Sequence, residues 1–343
     1  MEIGILGLPR SGKSTLFEIM TGIKNREMHK ENYARGQAAV SDERFNHLVN
    51  VFKPAKVSPA KVPFIDVNAV GEHAWDSLRR NLSGVEGILH IVDGFSVSDV
   101  GESIVLYHKL EDEMTLSDLM IVENRVERLV KTSKKSLSRQ DISQVQLMPK
   151  LKEHLEKGKP LRELSLAPEE IHSLRSFSFW TIRPELAVIN VAEDNFSVVD
   201  AFQKQAALSV PVMGICCLTE AELAVIPQAE QKEYLAAIGV EEPAYDRIIR
   251  ASFSLLGRIV YFTYGFDEVK SWVIPAGTKA PQAAAVIHND FERGFIKAEV
   301  VSFEEFKACD SNISAVKSSG KMRLEGKEYI VRDGDIITFR FNV

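Results

Sequence analysis

Three features predict an α/β fold with a parallel sheet, interrupted by a pair of helices and followed by a small α+β domain. Short apolar runs alternate with helical stretches, as strands buried on both faces do. A glycine-rich turn follows the first of these runs. The alternation then breaks twice, between about residues 103 and 182 and again from about Tyr261.

The opening residues carry the strongest signal. Ile3, Ile5 and Leu6 form a buried-strand run, and Leu16, Phe17, Ile19 and Met20 follow at helical spacing. Between them Gly7 to Ser14 fits G-x-x-x-x-G-K-[ST], the pattern of a loop that cradles phosphate. At a strand-to-helix turn, backbone N–H groups and the helix N-terminus converge on anionic oxygens. Gly7 and Gly12 permit the turn and the close approach, with Pro9, Arg10, Ser11 and Thr15 completing the cradle. Lys13 is placed to reach the outer phosphates, and the Ser14 hydroxyl to join a Mg²⁺ shell.

Gly22 to Ala39 reads as a polar, irregular loop beside the nucleotide. Strands are expected at Val62–Val67, Gly87–Asp93, Leu186–Val191 and Val210–Cys217. Leu119, Val122, Val126 and Leu129, answered by Met148, Leu151 and Leu155, predict an antiparallel helical hairpin. Its tip, Lys131 to Arg139, is basic and polar. Phe295–Val301 and the stretch from Tyr329 to Phe341 read as strands around a turn at Asp333-Gly334, with a short helix at Glu304–Ala308. The expected division is a nucleotide-binding domain at 1–103 and 183–260, a hairpin at 104–182 and an α+β domain at 261–343.

Composition narrows the function classes. With 45% hydrophobic and 26% charged residues the chain is globular and soluble, and no apolar run is long enough for a membrane span. A net charge of −6 excludes a uniformly basic nucleic-acid binder. Three cysteines, two of them adjacent, make neither a disulfide framework nor a metal cluster and suit a reducing cytoplasm.

Further residues belong with the loop. Asp66 ends a strand where an acid binds Mg²⁺, usually through water. Asn190-Val-Ala-Glu193 ends another, at the position of a base-recognition run. Guanine-specific proteins carry Asn-Lys-x-Asp there, so Val191 and Glu193 argue against tight guanine selectivity. Cys217 to Glu220 follows a later strand, where a loop closes over the base.

These residues resemble the YchF family, the bacterial branch of the Obg-like ATPases, along nearly the whole chain. Gly7-Leu-Pro, Asn190-Val-Ala-Glu-Asp, the run from Ala280 to Ile296 and the ending from Glu325 to Val343 carry the resemblance. It implies a P-loop NTPase domain with an inserted helical hairpin, a C-terminal β-grasp module of the TGS kind, and ATP preferred over GTP. It also implies Mg²⁺ and association with ribosomes. Lys134, Lys135 and Arg139 at the hairpin tip and Lys321 and Arg323 in the last domain are the candidate RNA contacts.

The chain departs from its relatives where hydrolysis is controlled. Ala69 stands at a phosphate-sensing glycine and Gln37 at a Mg²⁺-binding threonine. Val70 is apolar as in the family, and no histidine occurs between Ser96 and Tyr107. The expectation is a slow NTPase turning over below about 10⁻² s⁻¹ without a partner. The alternatives are a nucleotide-dependent interaction module with negligible catalysis and a P-loop kinase using Lys134, Lys135 and Arg139 as a lid. Oligomeric state is left open.

Overall fold

The computed structural model describes residues 2–24, 33–67, 75, 78–79, 82, 84–131, 138–193, 195–237 and 239–342. The chain forms two compact units, Met1–Gly36 with Pro63–Ile248, and Gln37–Val62 with Ile249–Val343. In chain order the strands are β1 (Ile3–Gly7), β2 (Tyr33–Ala39), β3 (Lys56–Ser58), β4 (Lys61–Val67), β5 (Gly87–Gly94) and β6 (Glu185–Val191). They continue with β7 (Val212–Ile215), β8 (Arg258–Thr263), β9 (Glu268–Pro275), β10 (Phe295–Ser302), β11 (Arg323–Glu325) and β12 (Asp335–Phe341).

The first sheet runs β2-β4-β1-β5-β6-β7, and β1, β4, β5, β6 and β7 pair in parallel. Its register decides where chemistry collects. Ile5 lies opposite Asp66, Gly7 opposite Ile91 and Asp93 opposite Asn190, so the carboxyl ends of β1, β4, β5 and β6 share one edge. Ligands of open α/β sheets bind at such an edge.

Two expectations change here. Tyr33–Ala39 is strand β2 and not irregular loop, because Ala34, Gly36 and Ala38 turn inward while Arg35, Gln37 and Ala39 face out. Residues this small and polar hide a two-residue period from a hydropathy reading. The division of the chain also differs from the expected one. The second unit takes residues 37–62, since β3 pairs with β9 and Phe52 stacks on Tyr264 at 4.8 Å and on Phe306 at 5.9 Å.

The hairpin is built from the helices Val100–Lys131 and Arg139–Glu156. A capping box between Ser138 and Asp141 starts the second helix. Val122, Met148, Leu151 and Leu155 are buried together between the two, with Leu119, Val126 and Leu129 packed against them.

Beneath the hairpin lies a buried group of charges. Arg162 meets Glu111 at 2.6 Å and Glu185 at 2.7 Å, and His90 Nδ1 meets Glu185 at 3.1 Å. His90 also stacks on Tyr107 at 4.6 Å. Ligand atoms of His90, Glu111 and Glu185 come within 4.8 Å of one another, a spacing a metal ion would accept, but the guanidinium of Arg162 already supplies the cation. Burial, followed by the neighbouring Glu185, pushes Glu111 up to about 8. Glu185 is held low against its own burial by Arg162 and His90. The two carboxyls therefore hold one proton between them at neutral pH.

The second unit is a six-stranded sheet in the order β11-β10-β12-β8-β9-β3. Its pairs are antiparallel except β12 with β8 and β3 with β9. Ala280, Ala283 and Ala284 pack on Tyr261, Ile274, Val300 and Ile337, and the Tyr261 hydroxyl donates to the Ala283 carbonyl at 2.9 Å. The final strand begins at Asp335, later than the expected Tyr329. Ile330 makes only an isolated bridge to Lys279.

Candidate functional site: a phosphate loop and its braces

The loop between β1 and the helix α1 (Lys13–Thr21) has a backbone that few residues can follow. Gly12 sits at φ 97°, and a Cβ there would come within 2.5 Å of Asn190 Nδ2. Glycine answers both the conformation and the space. Arg10 holds φ 72° with a full side chain, at a cost of about 1–2 kcal/mol. Pro9, Arg10 and Thr15 are exposed, and Ser11 is buried with its hydroxyl unpartnered.

Behind the loop the charges are dehydrated. Asp66 is fully buried at the end of β4, and the Ser14 hydroxyl donates to its Oδ2 at 2.7 Å. Burial raises the Asp66 carboxyl above its usual range, with the Ser14 hydroxyl and the Lys13 ammonium opposing. Lys13 is also buried, and desolvation lowers its pKa against the pull of Asp66. Oδ1 of Asp66 has no hydrogen-bond partner. The Ser14 oxygen keeps lone pairs free while its proton rests on Asp66.

This donor set suits a hard, oxygen-seeking cation. Ser14 and Asp66 would hold Mg²⁺, which would supply charge neutralisation for the phosphates. Lys13 would meet the outer phosphate oxygens.

Asn190 braces this arrangement. Its Nδ2 donates to the Ser11 carbonyl at 3.1 Å, and its Oδ1 accepts from the Cys217 N–H at 3.1 Å. The end of β6 is thereby tied to the phosphate loop and to the start of the helix Cys217–Val225. Asn190 and Cys217 were expected at the base. In this geometry the Asn190 amide is committed to the loop, and Cys217 contributes its backbone. The Cys217 thiol is buried, and burial, then Cys216 and Glu220, push it up to about 12.

Glu193 is exposed and lines a cavity of about 500 Å³ with Phe196, Cys216 and Thr219. Val191 is fully buried in the core, leaving no room for the lysine of a guanine-type run. A second cavity, of about 670 Å³, is lined by Leu8–Ser11, by Asp93 and by Asp99, Glu102 and Val105. Lys13 and Ser14 line neither. Sequence reasoning missed Asp99 and Glu102 of this second cavity, which belong to no motif. The alignment of Asp93 with Asn190 could have been found from two neighbouring parallel strands.

The other expected positions are dispersed. Gln37 is exposed on β2. Ala69, Val70, Lys134 and Lys135 lie outside the described residues, as does the side chain of Arg139, which opens its helix. Lys321 is partly buried. Arg323 is drawn inward, 3.6 Å from Asp335 and 3.5 Å from Glu325, with its guanidinium over Tyr329. Among the described residues no helix is long and apolar enough to cross a membrane.

Comparison with known proteins agrees with this architecture. Residues 258–342 match the family model of the YchF GTPase C-terminal region, described as "Protein of unknown function (DUF933)". Over its whole length the chain is 35% identical to the ribosome-binding ATPase YchF of Haemophilus influenzae, covering 99% of that protein. It is 34% identical to the ribosome-binding ATPase YchF of Bacillus subtilis, covering 100% of both, and 35% identical to Obg-like ATPase 1 of Oryza sativa, covering 92% of that protein. The solved structure of the Schizosaccharomyces pombe YchF GTPase superposes with a TM-score of 0.85 at 25% identity, covering 99% of this chain and 97% of that one. With the phosphate loop, the hairpin insertion and the C-terminal unit in the same order, the chain belongs to the YchF family of Obg-like ATPases.

Proposed function

We propose that this protein binds ATP, and GTP less selectively, together with Mg²⁺, hydrolyses it slowly, and associates with ribosomes or structured RNA according to its nucleotide state. The observation that carries the reading is the buried pair Lys13 and Asp66 with the half-buried Ser14 at the loop-to-helix turn, one Asp66 oxygen being unpartnered. A site of this kind is completed by a phosphate and a divalent cation. The relatives named as ribosome-binding ATPases support the partner, and a cytoplasmic location follows from it.

Calorimetric titration with ATP, GTP and their diphosphates, with and without Mg²⁺, tests the binding. ATP should bind at least as tightly as GTP, and Mg²⁺ should strengthen the triphosphates. Absence of any nucleotide binding would overturn the assignment. Co-sedimentation with ribosomes across a salt series tests the partner, with affinity falling as salt rises. A second reading, an interaction module without turnover, is favoured by the hydrogen bonds that already engage His90, Asp93, Asp99 and Glu102. A turnover assay on pure protein separates the two.

A further inference from the structure

Arg10 differs from six other arginines of this protein, though not from Arg175, which is also exposed and unpaired among the described residues. Arg44, Arg79, Arg125, Arg162, Arg293 and Arg340 each meet a carboxylate. Arg10 is exposed and, among the described residues, makes no hydrogen bond or ion pair. Acids are nevertheless at hand, because Arg10 lines the larger cavity with Asp93, Asp99 and Glu102, and it is the one lysine or arginine that does. Those acids are occupied by backbone. Asp93 accepts from the N–H groups of Phe95 and Ser96 at 2.9 and 3.0 Å, Asp99 from Glu102 at 3.1 Å, and Glu102 from Ser98 at 2.8 Å. The backbone at Arg10 is left-handed, φ 72°, where glycine would sit without strain. A long cation held strained and unpaired in a phosphate loop serves no purpose in the fold, and strain of this sort gathers at functional sites.

We propose that Arg10 is a catalytic residue, its guanidinium meeting the charge that develops on the phosphate oxygens as the terminal phosphoryl group passes to water. The proposal rests on the ATP-hydrolysis reading above. In that reaction the bond from the terminal phosphorus to the bridging oxygen breaks, and its electron pair leaves with the diphosphate. A new bond forms to the water oxygen, whose proton ends on the phosphate product or in solvent. Arg10 neither gives nor takes a proton. Its planar fork of N–H donors suits oxygens that gain charge only in the transition state, where fixed donors count most. Lys13, buried behind the loop, is placed for the phosphates of the bound nucleotide. The two cations then divide ground-state binding from transition-state stabilisation.

The test uses full-length protein with Arg10→Gly and Arg10→Lys. Single-turnover hydrolysis is measured beside the affinities for ADP, for a non-hydrolysable ATP analogue and for ADP with aluminium fluoride, a mimic of the transferring group. The expected result for Arg10→Gly is a rate at least tenfold lower, with ADP and analogue affinities within about threefold of wild type. The fluoride complex should weaken by the same factor as the rate. The thermal midpoint should equal or exceed that of wild type, since glycine relieves the strained backbone, and Arg10→Lys should recover part of the rate. A rate within twofold of wild type would overturn the proposal. So would an affinity loss as large as the rate loss, which marks plain binding. If wild-type protein binds ATP and Lys13→Ala does not, the site stands whichever way Arg10 falls. If wild type binds no nucleotide, the reading beneath the proposal fails as well.

Discussion

Two of the buried charge groups in the first unit are finished differently. Below the hairpin, Glu111 and Glu185 both form ion pairs with Arg162, at 2.6 and 2.7 Å, and Glu185 also meets His90 at 3.1 Å, although Glu185 Oε2 makes no hydrogen bond. At the phosphate loop, Lys13 and Asp66 are buried and Ser14 half-buried, and Asp66 Oδ1 and Ser11 Oγ have no partner. Dehydration costs free energy at both places. The first recovers much of it through Arg162, which both carboxyls share. Asp66 recovers less, from the Ser14 hydroxyl alone, and no ion pair to it is present among the described residues.

The sharpest way to break that contrast is to remove the shared cation of the group below the hairpin. Arg162→Met should destabilise the protein by about 3–5 kcal/mol, because the buried Glu185 carboxylate and the Glu111 carboxyl lose the cation they share. Denaturant unfolding reads this, and a loss below about 1 kcal/mol would mean the group is not self-sufficient. Asn190→Ala comes next. It leaves the Ser11 carbonyl and the Cys217 N–H unmet, costs about 1–3 kcal/mol of stability and weakens nucleotide binding as the loop loosens.

Lys13→Ala should show the reverse profile. ATP affinity falls at least tenfold, about 1.4 kcal/mol, while the empty protein is as stable as before or more so, since a dehydrated ammonium has gone. Unchanged affinity in a folded variant would remove the phosphate-loop assignment.

The smallest effect is a pH slope. Glu111, pushed up to about 8, keeps its proton in the folded state after the unfolded chain has lost its own. Its contribution is therefore full below the ordinary glutamate range and fades as pH rises through about 8. Stability should decline across pH 5–8 by at most about 1.4 kcal/mol per pH unit. Glu111→Gln should flatten the decline, and equal slopes for the two proteins would place the proton elsewhere.

The group below the hairpin was invisible in the sequence and the phosphate loop was not. Gly7, Gly12, Lys13 and Ser14 stand in one contiguous pattern whose spacing is dictated by a phosphate. Glu111, Arg162 and Glu185 are scattered over separate elements, and no periodicity announces that they meet. His90 was legible as a core residue because apolar neighbours flank it on its strand. The strands of the parallel sheet were legible because burial on both faces leaves unbroken apolar runs. β2 and β3 were not, because β2 is small and polar and β3 is three residues long. Asn190 was read as a ligand contact because its place at a strand end is local information, whereas its bond to Ser11 spans 179 positions.

Strand β3 has a further consequence, for the order in which the molecule is made. Ser58 hydrogen-bonds to Glu268 at 2.6 Å, across 210 positions of chain, and among the described residues β3 pairs with β9 alone. During synthesis, at about 5–20 residues per second, the segment 37–62 emerges roughly 10–40 s before β9 exists. Throughout that interval the apolar face of its helix, with Phe45 and Leu48, lacks the C-terminal residues of its own unit. A fragment starting at Ile249 would have the opposite deficiency, with β9 a bare edge open to pairing with other chains. The second unit is thus a late closure, one of whose ends waits while residues 63–248 of the first are translated.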